Sequence, residues 1–190
     1  MKLLNIRSSK NQKGFSLIEL LLFVGFIALV SLGVYTVYSK VQSANSANTE
    51  TSNLSTLRAG VKNLYGANAT YVGVGNAVLN NAKITPDGMR AIPFVVGDAV
   101  ITNSFGGAVT VAVASLGAGV NNGFTITYNA VPGDICTKLV TTAGRGFDTV
   151  GVGGVGNVKA FGTNNLNVVT AATLCAAAPV AGIAVQFQSL

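Results

Sequence analysis

One stretch, "KGFSLIELLLFVGFIALVSLGVYTVY", constrains this chain more than any other. From Phe15 to Tyr38 it runs 24 residues, and Glu19 is the one charged residue among them. As an α-helix, that length spans about 36 Å at ~1.5 Å per residue, enough to cross a bilayer. The residues before it are polar and basic: Lys2, Arg7, Lys10 and Lys13 all precede Phe15. Basic residues flanking an apolar span stay on the cytoplasmic side, so the body of the protein is expected outside.

Three readings of the stretch compete. A secretory signal peptide needs a shorter apolar run and a small-x-small cleavage site, and none closes the run before Tyr35. A plain transmembrane anchor accounts for the length but leaves Glu19 unexplained, because an unpaired carboxylate in hydrocarbon costs at least ~2.5 kcal/mol. The third reading gives Glu19 a partner from another chain.

Composition supports the third reading. The chain is 49% hydrophobic and only 9% charged, less charge than the surface of a free soluble domain normally carries. Such a surface suits a protein covered by other subunits or by lipid. The net charge of +6 is local: beyond residue 14, eight basic and six acidic residues remain, a net of +2. The basic balance therefore belongs to a leader and says little about nucleic acid. The two cysteines, Cys136 and Cys175, read as one disulfide if the body is exported, or as two buried thiols if it is not. With no His and no Cys-x-x-Cys, a zinc site is not expected.

"KGFSLIELLL" resembles the prepilin pattern of the type IV pilin family: a basic residue, Gly14, an apolar residue, then Glu as the fifth residue after the glycine. The resemblance implies that prepilin peptidase cuts between Gly14 and Phe15 and that the new amino group of Phe15 is methylated. It also implies that Glu19 pairs with the Phe15 amine of a neighbouring subunit in the fibre. Breaking a buried pair of that kind costs about 3–5 kcal/mol, so the pair favours correct axial register. Before assembly, Glu19 can instead snorkel toward the headgroups.

After Tyr38, Val41, Ala44, Ala47, Leu54, Leu57, Val61, Leu64 and Tyr65 recur at helical spacing, with Asn45, Asn48, Glu50 and Asn53 assigned to the polar side. No proline lies between Phe15 and Tyr65, so one helix of about 50 residues is expected, ending at Gly66 and Asn68. Gly25 and Gly33 are its weak points, at about 1 kcal/mol each.

Beyond Ala67, "AVTVAVASL", "FTITYNAV", "NVKAFG" and "AGIAVQFQSL" read as strands, with "SFGGAV" and "GVNNGF" as turns. "VPGDICTKLVTTAG" reads as a short helix with Asp134 as its N-cap, and "TAATLCAAA" as a second. The expected fold class is α+β: a long N-terminal α-helix, its apolar half protruding, packed on an antiparallel β-sheet head. The expected organisation is a cleaved leader at 1–14, a transmembrane and fibre-core helix at 15–38, an amphipathic helix at 39–66 and a head at 67–190. A disulfide would bound the C-terminal segment 136–175, which the pilin resemblance identifies as the D-region, a source of subunit contacts.

Several patterns carry no function. "GVGGVG", Gly151 to Gly156, matches G-x-G-x-x-G but lacks the following helix and the acid that a dinucleotide site needs, so it reads as a flexible turn. The "NLS" at Asn53 and "NAT" at Asn68 are too common by chance to assign as glycosylation sites. Asp87, Asp98, Asp134 and Asp148 are scattered, so no catalytic residues and no cofactor are expected. Lys83, Arg90, Lys138, Arg145 and Lys159 are sparse and lack interleaved aromatics, so no nucleic-acid groove is expected.

"NLYGANATY", "ITNSFGGAVTV" and the cysteine pair look like type IVb pilins, the bundle-forming and thin conjugative group. The short leader and the Phe at position 15 are commoner in type IVa, whereas the proline usual in the type IVa helix is absent here. The resemblance implies a major structural subunit of a type IV pilus, not an enzyme, polymerised into a helical fibre for adhesion, aggregation or conjugative contact. The alternative is a minor pilin or type II secretion pseudopilin. Implied partners are copies of itself, prepilin peptidase, the assembly machinery and inner-membrane lipid. The implied location is the inner membrane as a single-pass precursor with a cytoplasmic N-terminus, then the extracellular fibre.

Overall fold

The protein is described here by a computed structural model, which covers residues 16–93 and 95–190. The expected leader at 1–14, with Gly14, and Phe15 after it lie outside the described residues.

The first helix, α1, spans Leu17–Tyr65, 49 residues. It opens where Leu20 N–H donates to Ser16 O at 3.1 Å. It ends before Gly66, where a Cβ would stand 3.0 Å from Lys62 O. One uninterrupted helix agrees with the proline-free sequence. The chain divides into two compact units, one ending at Val41 and one spanning Gln42–Leu190.

Within the second unit, α1 buries Ala47, Glu50, Leu54, Leu57 and Val61. Their spacings of three and four keep them on one helical face. This corrects the expectation for Glu50, which belongs to the buried stripe and not to the polar side. Val41 and Leu64, expected on the apolar face, are exposed at 52% and 40%.

The head continues with α2 (Asn76–Asn81), β1 (Val109–Ala114), β2 (Gly123–Val131) and α3 (Gly133–Ala143). It closes with β3 (Thr149–Val152), α4 (Val168–Ala176) and β4 (Ile183–Ser189). The four strands form one antiparallel sheet in the order β1-β2-β4-β3. Alternation along the strands buries Val109, Val111, Phe124, Ile126, Tyr128, Val185 and Phe187 in a core shared with Leu54, Leu57 and Val61. Period-two alternation is what lets a sheet bury one face against a helix. The α+β architecture expected from the sequence, a long N-terminal helix with an antiparallel sheet, is the one present.

Between Tyr128 and Val131 the β2–β4 register shifts, and Ala130 takes φ 55°. Such a bulge bends the strand and leaves a residue unpaired, and here two glycines lie at close backbone approaches. Gly182 supplies one: its φ is +83°, and any Cβ there would collide with the Ala130 backbone. At Gly107 a Cβ would collide with Asn129 O more closely still.

Three further expectations are corrected. "GVGGVG" is not simply a flexible turn: Gly151 and Val152 belong to β3, which is buried at every residue. Only the end of the motif turns, with Asn157 donating to Val152 O at 2.7 Å and accepting from Val152 N at 2.8 Å. "NVKAFG" forms no strand: it meets β3 through a bridge between Val150 and Lys159 and through the Asn157 side chain. Pro132, not Asp134, occupies the N-cap of α3, and no side chain caps that end. Asp134 lies in the first turn, where its charge is favoured by the helix dipole instead.

Candidate assembly site

Among the described residues, the apolar half of α1 carries an exposed apolar surface. Leu17, Ile18, Leu20, Leu21, Leu22 and Phe23 are each at least 58% exposed, and Leu29, Leu32 and Val34 behave alike. An 18-residue window of this helix has mean hydropathy 2.6 and none of its surface buried, so it is long and apolar enough to cross a membrane. An apolar surface of this extent marks a membrane or protein contact.

Glu19 lies in the first turn of this helix, and its backbone N–H donates to Ser16 O at 3.0 Å. Its carboxylate near the helix N-terminus is favoured by the macrodipole. Ser31 removes its own polarity by donating to Ile27 O at 2.8 Å. At Gly25 and Gly33 a Cβ would meet nothing within 4 Å. These glycines notch the helix: Ile18, Leu21, Leu22, Phe26 and Leu29 surround the first, and Val34, Val37, Tyr38 and Val41 surround the second. Small residues of this kind let a second helix approach closely in an apolar setting.

In the head, Cys136 and Cys175 form a disulfide, with Cα atoms 5.6 Å apart, which joins α3 to α4. The two-thiol alternative is thereby removed. Gly133 lies against Cys175 O, where a Cβ would come within 2.6 Å. The C-terminus is held to α1 by a polar chain. Arg58 Nε donates to Ser189 Oγ at 3.2 Å, and the Asp148 carboxylate accepts from Ser189 Oγ at 3.1 Å and Leu190 N at 3.0 Å. The Arg58 guanidinium also lies 5.2 Å from the Phe147 ring centroid.

No group of metal-binding residues occurs among the described residues.

The comparisons with known proteins agree with this geometry. The family model described as PilS N terminal matches residues 44–186, most of the chain. The chain belongs to the type IVb pilin family. A solved type IV b pilin from Salmonella typhi matches with 26% identity and TM-score 0.56, covering 74% of this chain and 97% of that one. TcpA, a type IV pilin from Vibrio cholerae El Tor biotype, shares the fold at 19% identity and TM-score 0.55, covering 77% of this chain and 99% of that one. No curated protein matches.

Sequence reasoning missed one organising residue of this pilin head. The Glu50 carboxylate accepts Ser104 N–H at 2.7 Å and Asn53 Nδ2 at 3.3 Å. The buried Tyr128 hydroxyl donates to Met89 Sδ at 3.9 Å. Burial first, and the Glu50 carboxylate second, push the Tyr128 hydroxyl well above the usual tyrosine range. A signal was present: Glu50 stands three residues after Ala47 and four before Leu54, on the apolar stripe itself.

Proposed function

We propose that this pilin is the major structural subunit of its pilus. Prepilin peptidase cuts between Gly14 and Phe15, and the Phe15 amine is then methylated. Residues 15–38 first hold the subunit in the inner membrane, N-terminus cytoplasmic, and then enter the fibre core. Residues 39–66 continue the helix into the head, and residues 67–190 face outward as the fibre surface. Glu19 pairs with the Phe15 amine of a neighbouring copy, and the assembly machinery adds subunits one at a time. The work of the protein is assembly and surface contact rather than catalysis.

The observation that supports this reading most is the carboxylate of Glu19 in the first turn of a helix whose apolar N-terminal half is exposed among the described residues. A charge there is costly in lipid and is offset only by a partner. Glu19→Ala tests it. The variant should insert in the membrane normally but yield few sheared fibres; a normal fibre yield would remove Glu19 from assembly.

A further inference from the structure

The disulfide-bounded segment contains a pocket that assembly does not explain. Its volume is about 370 Å³, and Thr141, Arg145, Lys159, Asn164, Asn165 and Leu166 line it. That size is within the range of small-ligand sites. No Asp or Glu lines it.

Lys159 is the unusual member. Only 8% of it is exposed, and its ammonium donates to Phe147 O. That bond uses one of three N–H donors. Among the described residues neither Lys159 nor Arg145 has a carboxylate partner. A lysine is almost never buried this far without a paired anion, because an uncompensated charge is costly away from water. Two cations therefore meet at one cavity, and the described residues supply no anion to either.

We propose that this pocket binds a small carboxylate-bearing polyol, of the uronic-acid class. The carboxylate sits between Lys159 and Arg145, whose guanidinium fork suits a planar acid. The cavity is larger than a carboxylate alone requires, so the ligand brings further groups. Asn164, Asn165 and Thr141 offer amide and hydroxyl partners for sugar hydroxyls, and Leu166 offers an apolar wall for a ring's C–H face. The proposal goes beyond assembly and stands without it, since a dispersed subunit carries the same pocket.

The test titrates D-glucuronate into the full chain in detergent micelles, followed by calorimetry, with glucose and inorganic phosphate as parallel probes. Glucuronate should bind saturably, glucose should not, and added salt should weaken binding. Arg145→Gln, on an exposed side chain, should weaken glucuronate about tenfold. Asn164→Ala, also exposed, should weaken it without changing its salt dependence. Absence of saturable glucuronate binding, equal binding of glucose, or indifference to Arg145→Gln would each overturn the proposal. Phosphate binding as tightly as glucuronate would replace the sugar acid with a simple oxyanion, and so overturn it too.

Discussion

The Glu50 carboxylate accepts the backbone N–H of Ser104 at 2.7 Å, across 54 positions of sequence. This contact ties the buried face of α1 to the loop before β1. Asn103 continues the tie, accepting from Phe105 N at 3.0 Å and Gly107 N at 2.8 Å and donating to Asn129 O at 2.7 Å. A hydrogen bond to a charged group is worth about 1.5–3 kcal/mol, and its loss also strands a buried donor. Glu50→Ala should therefore lower the stability of the head by about 2–3 kcal/mol. Glu50→Gln, which keeps one acceptor oxygen, should cost less. Denaturant unfolding of the full chain in detergent reads both, and an unchanged midpoint for Glu50→Ala would refute the tie.

Tyr128 gives the head an alkaline limit. Its hydroxyl is favoured in the neutral form by burial and by the Glu50 carboxylate, so its folded pKa lies above its unfolded value near 10. For a group raised in this way, the stabilisation is complete below the unfolded value. It declines as pH rises above that value towards the folded one, because the unfolded chain then loses the proton more readily. Stability should fall above pH ~10, and Tyr128→Phe should flatten that fall. An identical alkaline slope in the variant would contradict the assignment.

The Cys136–Cys175 bond closes a separation of 39 residues. Loop closure of that length removes unfolded-state entropy worth about 3–4 kcal/mol. The double substitution to serine should lose stability of that order. The loss should be felt first between α3 and α4, measured as earlier amide exchange there than in β2. Uniform exchange across the head would show that the bond does not act locally.

How far the fold was legible depended on the range of the interactions. The apolar run, α1 and its end at Gly66 follow from local periodicity and the absence of proline, so they could be read directly. Strands β1, β2 and β4 were legible because β-branched residues alternate along them. Strand β3 was not: Gly151 hides a position that must be glycine because the Gly154 backbone presses on it. The burial of Glu50 was equally hidden, since its partner Ser104 is fixed only by tertiary structure. Asn76, Asn103, Asn122 and Asn157 carry no distinguishing signal in the sequence, yet each accepts from a backbone N–H in the head. Glu19 could be singled out as a candidate from its spacing to Gly14, and its part in assembly is a proposal. The Lys159 pocket was not legible, because Arg145, Lys159 and Asn164 converge only after the disulfide segment folds.

The central claim is that the chain works as a processed, polymerised subunit. Mass spectrometry of sheared fibres tests it most directly. The account predicts that the dominant species begins at Phe15 and carries one additional methyl group on that amine, with Cys136 and Cys175 joined. Fibres composed of chains that still begin at Met1, or fibres in which this chain is only a trace component, would contradict it.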